Sequence, residues 1–334
     1  MVLQLDLRLV DLRLDLLQRL LEVELVKGRH SGKCSADRPA IRLSMTSPST
    51  ALGCLAVLGG GNMGEAIVRG ALACDLLPTG AITVADPAPV RRAVFETLGI
   101  ATTDSIDTCI ARFAEMMGHA MVPGIILLAV KPQMFADVAR DLMPAIRTHF
   151  KQGIPVVSIL AGLPTTRLQT ALGDRARVLR AMPNLPARIR QGATALCRGP
   201  TATDEDHSLA RELFESVGPT VVSIDESLMD AFTALAGSGP AYLFYLAEAM
   251  TRAARELGFD DATAASLVRQ TLLGSAMLLA ESSEDPSVLR AAVTSKGGTT
   301  AAAVDLLDRA GVLPTWIDAM RAARDRGAEL ARGA

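Results

Sequence analysis

Two glycine-rich segments of the 334-residue chain have the composition of anion-binding turns. In the first, Gly59, Gly61 and Gly64 follow a short apolar run in a G-x-G-x-x-G pattern that opens a helix. The first glycine permits a tight turn, the second admits a pyrophosphate to the backbone, and the third lets helix and strand pack closely. The pattern predicts a dinucleotide site on the helix N-terminus, with Asn62 and Met63 among its contacts. A purely structural turn is the alternative.

The second segment, residues 294–300, reads Thr-Ser-Lys-Gly-Gly-Thr-Thr and leads into a helix with no strand before it. It again offers N–H groups at a helix N-terminus, here to an anion as small as a carboxylate. The alternative is that Thr299 or Thr300 is simply the helix N-cap.

The predicted second strand ends in an acid, Asp86, about 20 residues after Gly64. An acid at this place usually accepts the ribose hydroxyls and favours NAD over NADP. Arg91 and Arg92 follow at the next helix start, where they could meet a 2′-phosphate. Asp86 and Pro87 could also form an N-cap and turn without any ligand. The choice between NADH and NADPH therefore stays open.

Another polar turn follows the apolar run that closes with Ala129 and Val130. Ligands of open parallel sheets bind beyond the carboxyl ends of the strands. Lys131 is therefore expected to meet the phosphates or ribose, with Pro132 fixing the turn. A solvated lysine at a strand end is the alternative.

Three later turns add further candidates. Ala161 and Gly162 follow one predicted strand, and Asn184 follows another between two prolines. The Asn184 amide suits a contact to a ligand carboxamide, while an Asx turn is the alternative. Ser238 lies in a Gly-Ser-Gly-Pro break of a helical run, where glycine costs about 1 and proline about 3 kcal/mol. That cost indicates either a close partner helix or a kink that exposes Ser238 to a site.

Apolar runs of strand length alternate with helical segments over about residues 52–225. This alternation predicts an α/β Rossmann domain, a doubly wound and mostly parallel sheet covered on both faces. Strands are expected at 55–58, 81–85, 124–130, 155–159, 177–181 and 220–224, and helices at segments such as 63–74, 90–98 and 134–150.

The remainder, residues 226–334, is predicted to be an all-α domain for dimerisation and substrate binding. In the segment 262–280 the only large polar residues are Arg269 and Gln270. A helix with almost no polar face is buried on nearly all sides, so a second subunit is the expected cover. We therefore expect an obligate homodimer. Helices are expected at 228–257, 262–280, 287–293, 300–309 and 313–331.

The composition of the chain limits its possible partners, ligands and cellular compartment. A net charge of −2 and 3% aromatic residues give no case for nucleic acid. Apolar runs are too short for a membrane span. Five scattered cysteines without a C-x-x-C pair indicate a reducing compartment, expected to be the cytoplasm, and no metal site. Residues 1–51 are expected to be a poorly ordered extension or to precede the true start, for which Met45 is a candidate.

Five stretches together resemble the pyrroline-5-carboxylate reductase family over about residues 54–330: G-G-G-N-M-G, A-V-K-P-Q, M-P-N-L-P, A-G-S-G-P-A-Y and T-S-K-G-G-T-T. The resemblance implies reduction of 1-pyrroline-5-carboxylate to L-proline by NADPH or NADH, the final step of proline biosynthesis. It also implies a site between the cofactor domain of one subunit and the helices of its partner. Assembly of dimers into larger particles is left open.

Site residues follow from the resemblance position by position. The loop 295–300 would hold the substrate carboxylate on backbone N–H groups, with Thr300 bonded to the ring nitrogen. Glu226 would lie near substrate and nicotinamide as a counter-charge to the iminium. Lys296 stands where many family members have proline, and either draws in the carboxylate or is a solvated loop residue. The predicted substrate contacts are Ser295, Gly297, Gly298, Thr299 and Ser238.

Two other functions are compatible with part of the sequence. A β-hydroxyacid dehydrogenase shares the layout but needs a catalytic lysine on the helix after the cofactor domain, and residues 228–257 contain no lysine. A non-catalytic nucleotide sensor would bind the cofactor without turnover, and the intact Thr299–Thr300 loop argues against it.

Overall fold

The computed structural model describes residues 51–333. The predicted extension, residues 1–51, lies outside the described residues except for its last position. Among the described helices, none combines the length and the apolar character needed to cross a membrane.

One eight-stranded sheet with the order β3-β2-β1-β4-β5-β6-β7-β8 forms the centre of the first half. Neighbouring strands are parallel except β6 and β7, which are antiparallel. The order reverses between β1 and β4, as in Rossmann folds, and creates a crevice there. The strands are β1 Cys54–Leu58, β2 Ile82–Ala85, β3 Ala101–Thr103, β4 Gly124–Leu128, β5 Ile154–Ser158, β6 Ala176–Pro183, β7 Ala193–Arg198 and β8 Thr220–Ser223.

Helices cover both faces of this sheet. They are α1 Asn62–Ala73, α2 Pro89–Glu96, α3 Ile106–Ala120, α4 Phe135–His149, α5 Thr165–Leu172 and α6 Asp204–Glu215. Alternate side chains of β1, such as Leu58 and Val57, enter two separate hydrophobic clusters. Helices α3, α4 and α5 complete the first cluster, and α1, α2 and α6 complete the second. Burial on both faces explains why the central strands are continuous apolar runs.

Two strands of the sheet, β3 and β7, were not predicted from the sequence, and β2 and β4 are shorter than predicted. β3 is three residues long and includes two threonines, and β7 is rich in small residues, so neither forms a long apolar run. The strand predicted over 124–130 ends at Leu128, because Ala129 and Val130 turn beside the glycine segment. The strand predicted over 81–85 begins at Ile82, since Ala81 closes a 3₁₀ turn.

After β8 the described chain is helical. The expected helix over 228–257 is divided into α7 Met229–Phe232, a π-helical turn Thr233–Gly237, and α8 Gly239–Glu256. The remaining helices are α9 Asp261–Glu281, α10 Pro286–Ala292, α11 Thr299–Arg309 and α12 Val312–Gly333.

This helical half has little core of its own. Among its described residues the buried apolar side chains are Met229, Ala234, Ala264 and Val268. The helix α9, predicted to be buried on nearly all sides, instead exposes 56% of Leu273. The described part of one chain therefore does not cover α9, and the burial expected from its composition requires a further surface.

An ion pair at the start of α6 supports the first half. Two hydrogen bonds of 2.7 and 2.8 Å join the Arg177 guanidinium to the Asp206 carboxylate. Asp206 also accepts the Thr203 N–H in a capping box. Burial alone would raise the pKa of Asp206, but the bonds from Arg177 and Thr203 outweigh it and hold the pKa below its ordinary value.

We expect Asp206→Asn to lower the free energy of unfolding at pH 7 by about 2 kcal/mol, because Arg177 loses its charged, bidentate hydrogen-bond partner. A depressed carboxyl pKa stabilises the fold above the ordinary value and loses that effect as pH falls through the folded value. The difference between wild type and variant should therefore shrink below about pH 4. Urea unfolding at one protein concentration measures both effects.

Asp137→Asn is the matched control, because the Asp137–Arg140 pair is exposed and contributes little. Equal losses in the two variants, or a loss independent of pH, would contradict the assignment.

Candidate active site

The first glycine segment has the geometry that its spacing predicts. Gly59 has a φ of +104°, and a Cβ there would lie 2.7 Å from the carbonyl of Ala129. A Cβ on Gly64 would lie 2.6 Å from the Gly59 oxygen, so α1 packs directly on the turn. Gly61 is the N-cap of α1, and a Cβ added to it would meet no atom within 4 Å. The first and third glycines close the turn, and the second leaves it open.

The turn borders a cavity of about 860 Å³ beyond the carboxyl ends of β1, β2 and β4. This is the place where the strand order reverses and where doubly wound sheets bind ligands. The cavity is of the size expected for a small-molecule site. Predicted site residues in its lining are Gly59, Gly61, Asp86, Ala129, Val130 and Lys131.

These features fit a dinucleotide. The first N–H groups of α1, from Asn62 onward, have no acceptor within the helix, and Gly61 makes no side-chain cap bond to them. Open space over Gly61 lets a phosphate approach the backbone. Asn62 and Met63 stand in the first turn of the helix behind this approach. Lys131 is exposed in the cavity lining, and Pro132 begins the 3₁₀ turn Pro132–Met134 that follows it.

The carboxylate of Asp86 is tied to the glycine turn. Its two oxygens accept the N–H groups of Gly60 at 2.7 Å and Ala88 at 2.8 Å. The N-cap of α2 is Ala88, so the N-cap alternative for Asp86 is wrong, although the side chain does close a turn. Asp86 also lines the cavity, where a ligand can reach it.

The two arginines predicted near a 2′-phosphate are both engaged. Arg91 donates to the Gly60 oxygen at 2.6 Å and to the Glu65 carboxylate at 2.7 Å. Arg92 donates to the carbonyl oxygens of Asp86 and Pro87, each at 2.9 Å. Of the two, Arg91 lines the cavity.

Seven predicted cofactor residues are not part of this cavity lining. Four of them adjoin it in the chain, namely Asn62, Met63, Gly64 and Pro132, and the other three are Ala161, Gly162 and Asn184. Gly162 is buried with a φ of +75°, and Ala161 is exposed beside it. Asn184 is buried, and its amide donates to the Ala236 oxygen and accepts the Ala193 N–H. The Asx turn suggested for Asn184 is therefore wrong. Its role as a ligand contact stays a prediction, and its amide already holds two parts of the chain together.

Glu226 forms a junction between the sheet and the helical half. Its carboxylate accepts the N–H and the hydroxyl of Thr165, both at 2.7 Å. The buried Arg180 guanidinium lies 3.4 Å from Glu226 and 4.0 Å from Asp230. The cluster connects α5, β6 and α7. Thr165 and Arg180 were not predicted, although an arginine inside an apolar strand is a signal for a buried partner.

A second cavity of about 670 Å³ lies beside Glu226. Cys197 lines it, and burial raises the pKa of this thiol to about 12, so it stays protonated. His207 lies in the same lining, and burial lowers its pKa. The Cys197 thiol is therefore not prepared for nucleophilic chemistry.

The break around Ser238 is a π-helical turn. The Ser238 N–H donates to the Thr233 oxygen, and the Tyr242 hydroxyl donates to the Ala234 oxygen. A Cβ on Gly237 would lie 3.2 Å from the end of the Met182 side chain in β6. The glycine thus permits packing on the sheet of the same chain, and Ser238 is half-buried next to it.

Residues 293–298 join α10 to α11, so the predicted loop 295–300 ends in the first turn of α11. Gly297 has a φ of +72°, and the N–H of Gly298 donates to the Ser295 oxygen at 3.0 Å. The N-cap of α11 is Gly298, so the N-cap alternative for Thr299 and Thr300 is wrong. Both threonines occupy the first helical turn, where the N–H groups lack helical acceptors.

The structure of one chain does not unite the two predicted halves of the site. Among the described residues that line the cavity at β1, β2 and β4, none belongs to the loop 295–300 or to the Glu226 junction. No cluster of His, Cys, Asp or Glu suitable for a metal ion occurs within residues 51–333.

Family models of known proteins match both the sheet half and the helical half of the chain. The family model for pyrroline-5-carboxylate reductase dimerisation matches residues 226–330. The model for NADP oxidoreductase, coenzyme F420-dependent, matches residues 54–162. These matches confirm the predicted Rossmann domain and helical dimerisation domain.

Individual proteins that match most of the chain carry the same family name as the dimerisation model. The pyrroline-5-carboxylate reductase of Haemophilus influenzae is 37% identical, covering 83% of this chain and 97% of the relative. That of Pisum sativum is also 37% identical, covering 83% and 95%. A solved pyrroline-5-carboxylate reductase from Coxiella burnetii has a TM-score of 0.73 and 33% identity, covering 83% of this chain and 98% of that one. With such similarity over both domains, the chain belongs to the pyrroline-5-carboxylate reductase family.

Proposed function

We propose that this chain reduces 1-pyrroline-5-carboxylate to L-proline by hydride transfer from NADPH or NADH, the final step of proline biosynthesis. One observation carries the proposal: a dinucleotide-sized cavity at the sheet occurs together with a separate glycine-threonine loop in the dimerisation domain. The curated relatives from Haemophilus influenzae and Pisum sativum carry the name of this activity.

The cofactor is held by the cavity beyond β1, β2 and β4. The turn at Gly59 and Gly61 and the N–H groups of α1 receive the pyrophosphate, while Lys131 adds a positive charge. When bound, the nicotinamide supplies the hydride. The further cofactor contacts that we propose are Asn62, Met63, Gly64, Asp86, Ala129, Val130, Pro132, Ala161, Gly162 and Asn184.

The substrate is held by the loop 295–300. Backbone N–H groups receive the carboxylate, since Gly298 caps α11 without using a side chain. This leaves the Thr300 hydroxyl available for the ring nitrogen. Hydride adds to the carbon of the protonated imine, and the C=N electron pair becomes the nitrogen lone pair. No further proton donor is needed in that step, so the protein acts mainly by orientation. Ser295, Gly297, Gly298, Thr299 and Ser238 complete the proposed contacts, with Lys296 a candidate attractor for the carboxylate.

The working unit is proposed to be a homodimer with a shared site. The exposed apolar side chains of α8 and α9, such as Phe244 and Leu273, supply a surface for a second copy. Residues 52–225 then bind the cofactor, and residues 226–334 dimerise and carry the substrate loop to the partner's cavity. The proposed compartment is the cytoplasm, supported by four free cysteines among the described residues.

Glu226 is proposed to act through position. Its carboxylate is already bonded to Thr165 and paired with Arg180, which reduces its value as a counter-charge to an iminium. The same contacts fix the Rossmann domain against the start of the helical half. We therefore assign Glu226 to the alignment of donor and acceptor.

The activity is tested with purified full-length protein, 1-pyrroline-5-carboxylate and either NADH or NADPH, followed at the nicotinamide absorbance. Oxidation of the cofactor with formation of proline is expected. Cofactor binding without turnover would favour a nucleotide sensor and overturn the proposed activity.

Thr300→Val should lower kcat/KM for the imine by about 10- to 100-fold, since it removes one hydrogen bond to a charged group. The dissociation constant for the cofactor should stay unchanged. Thr170→Val is the control, because Thr170 is exposed on α5 and bonds to its own helix. Unchanged kcat/KM in Thr300→Val would exclude the proposed contact.

The positioning role and the counter-charge role of Glu226 predict different kinetics for the variants Glu226→Gln and Glu226→Ala. Glutamine keeps hydrogen-bonding atoms for Thr165 but has no charge, whereas alanine loses both. Positioning predicts that Glu226→Ala lowers kcat about tenfold with KM little changed, while Glu226→Gln stays within about threefold of wild type. If both variants lose activity equally, the counter-charge role is restored. Steady-state kinetics with both substrates measures the difference.

A further inference from the structure

We propose that this chain prefers NADH to NADPH, and that Asp86, Glu65 and Arg91 set the preference. The proposal rests on the function proposed above, since it concerns the cofactor of that reaction. The family model over residues 54–162 is described by NADP. In this chain, the charged residues at the end of the cavity where the adenosine ribose is expected favour NADH instead.

Asp86 supplies a fixed negative charge where the adenosine ribose is expected. Its bonds to the N–H groups of Gly60 and Ala88 hold the carboxylate at the edge of the cavity. An ionised carboxylate has about four acceptor positions, so about two remain for ribose hydroxyls. A 2′-phosphate in the same place would bring a second negative group against the carboxylate, which is unfavourable.

Arg91 does not offset this charge. It lines the cavity, but its guanidinium is bonded to the Gly60 oxygen and the Glu65 carboxylate. Glu65 also accepts Arg69 at 2.9 Å. Burial would raise the pKa of Glu65, but the bonds from Arg91 and Arg69 outweigh it and keep the pKa low. Glu65 is therefore ionised at neutral pH. Its single negative charge is shared by Arg91 and Arg69, so Arg91 is already paired and its charge is partly offset.

Other cations are placed elsewhere. Arg92 is bonded to the carbonyl oxygens of Asp86 and Pro87 and is not among the described residues that line the cavity. Lys131 and Arg140 do line it, but they follow β4, on the other side of β1 from Asp86. The ribose end thus combines an acid with an arginine that is already paired.

Isothermal titration calorimetry of the full-length protein with NAD⁺ and with NADP⁺ tests the preference without turnover. Wild type should bind NAD⁺ at least about tenfold more tightly than NADP⁺. Asp86→Ser should shift the ratio of the two dissociation constants about tenfold towards NADP⁺. Asp86→Asn, which keeps one acceptor for the turn and removes the charge, should shift it in the same direction.

The variant Glu65→Gln tests whether the pairing of Arg91 with Glu65 contributes to the preference. It should release Arg91 and tighten NADP⁺ about threefold or more, while NAD⁺ changes by less than about twofold. Asp141→Asn is the control, because Asp141 is a carboxylate of the same cavity lining on α4, and it should leave the ratio unchanged.

Equal or tighter binding of NADP⁺ by the wild type overturns the preference. A ratio unchanged by both Asp86 variants removes Asp86 from it, and an unchanged Glu65→Gln ratio removes the Arg91 pairing. The outcomes separate from the proposed function: selective NAD⁺ binding without imine reduction retains the preference alone, and reduction with equal binding retains the function alone.

Discussion

The contact between Gly59 and the end of β4 is the constraint on which the cofactor half depends. At a φ of +104° the turn passes so close to Ala129 that any Cβ would overlap the backbone there. The same turn receives Gly64 of α1 from the other side. Three segments thus meet where the strand order reverses, and the space above Gly61 is left open. A larger side chain at Gly59 would displace both the strand end and the helix that form this opening.

The helical half is incomplete in a single chain. The Rossmann sheet has apolar clusters on both faces, whereas the helical half buries few of its own apolar side chains within the described residues. In the proposed homodimer, a second copy covers these helices and brings its substrate loop to the first chain's cavity. Assembly and completion of the proposed site then coincide. The Glu226 cluster matters in this setting, because it holds the orientation of the two halves through Thr165 and Arg180.

Much of the fold could be predicted from the sequence, and each feature that was predicted wrongly or missed has a physical reason. Glycine spacing reports local backbone constraints, so the turn at Gly59–Gly64 is readable from sequence. The three-residue β3 and the antiparallel β7 are missed, since short or small-residue strands leave no long apolar run. Threonine is the residue type expected at the N-cap of α11 because side-chain caps are common, but Gly298 takes that position.

Side-chain partners were the least predictable feature. Nothing in local sequence says that Asn184 bridges Ala236 and Ala193, or that Glu226 meets Thr165. These contacts join segments far apart in the chain and exist only once the tertiary fold has formed. Arg180 is the instructive case, because its position inside an apolar strand indicates a buried partner without identifying it.

The most direct measurement is complementation between two impaired chains. Gly61→Asp places a carboxylate in the open phosphate approach, and Thr300→Val removes the proposed substrate contact. If cavity and loop come from different subunits, a heterodimer purified through two tags should recover about half the wild-type turnover per dimer, because one of its two sites is intact. Turnover no higher than that of the two parent variants would contradict a shared site.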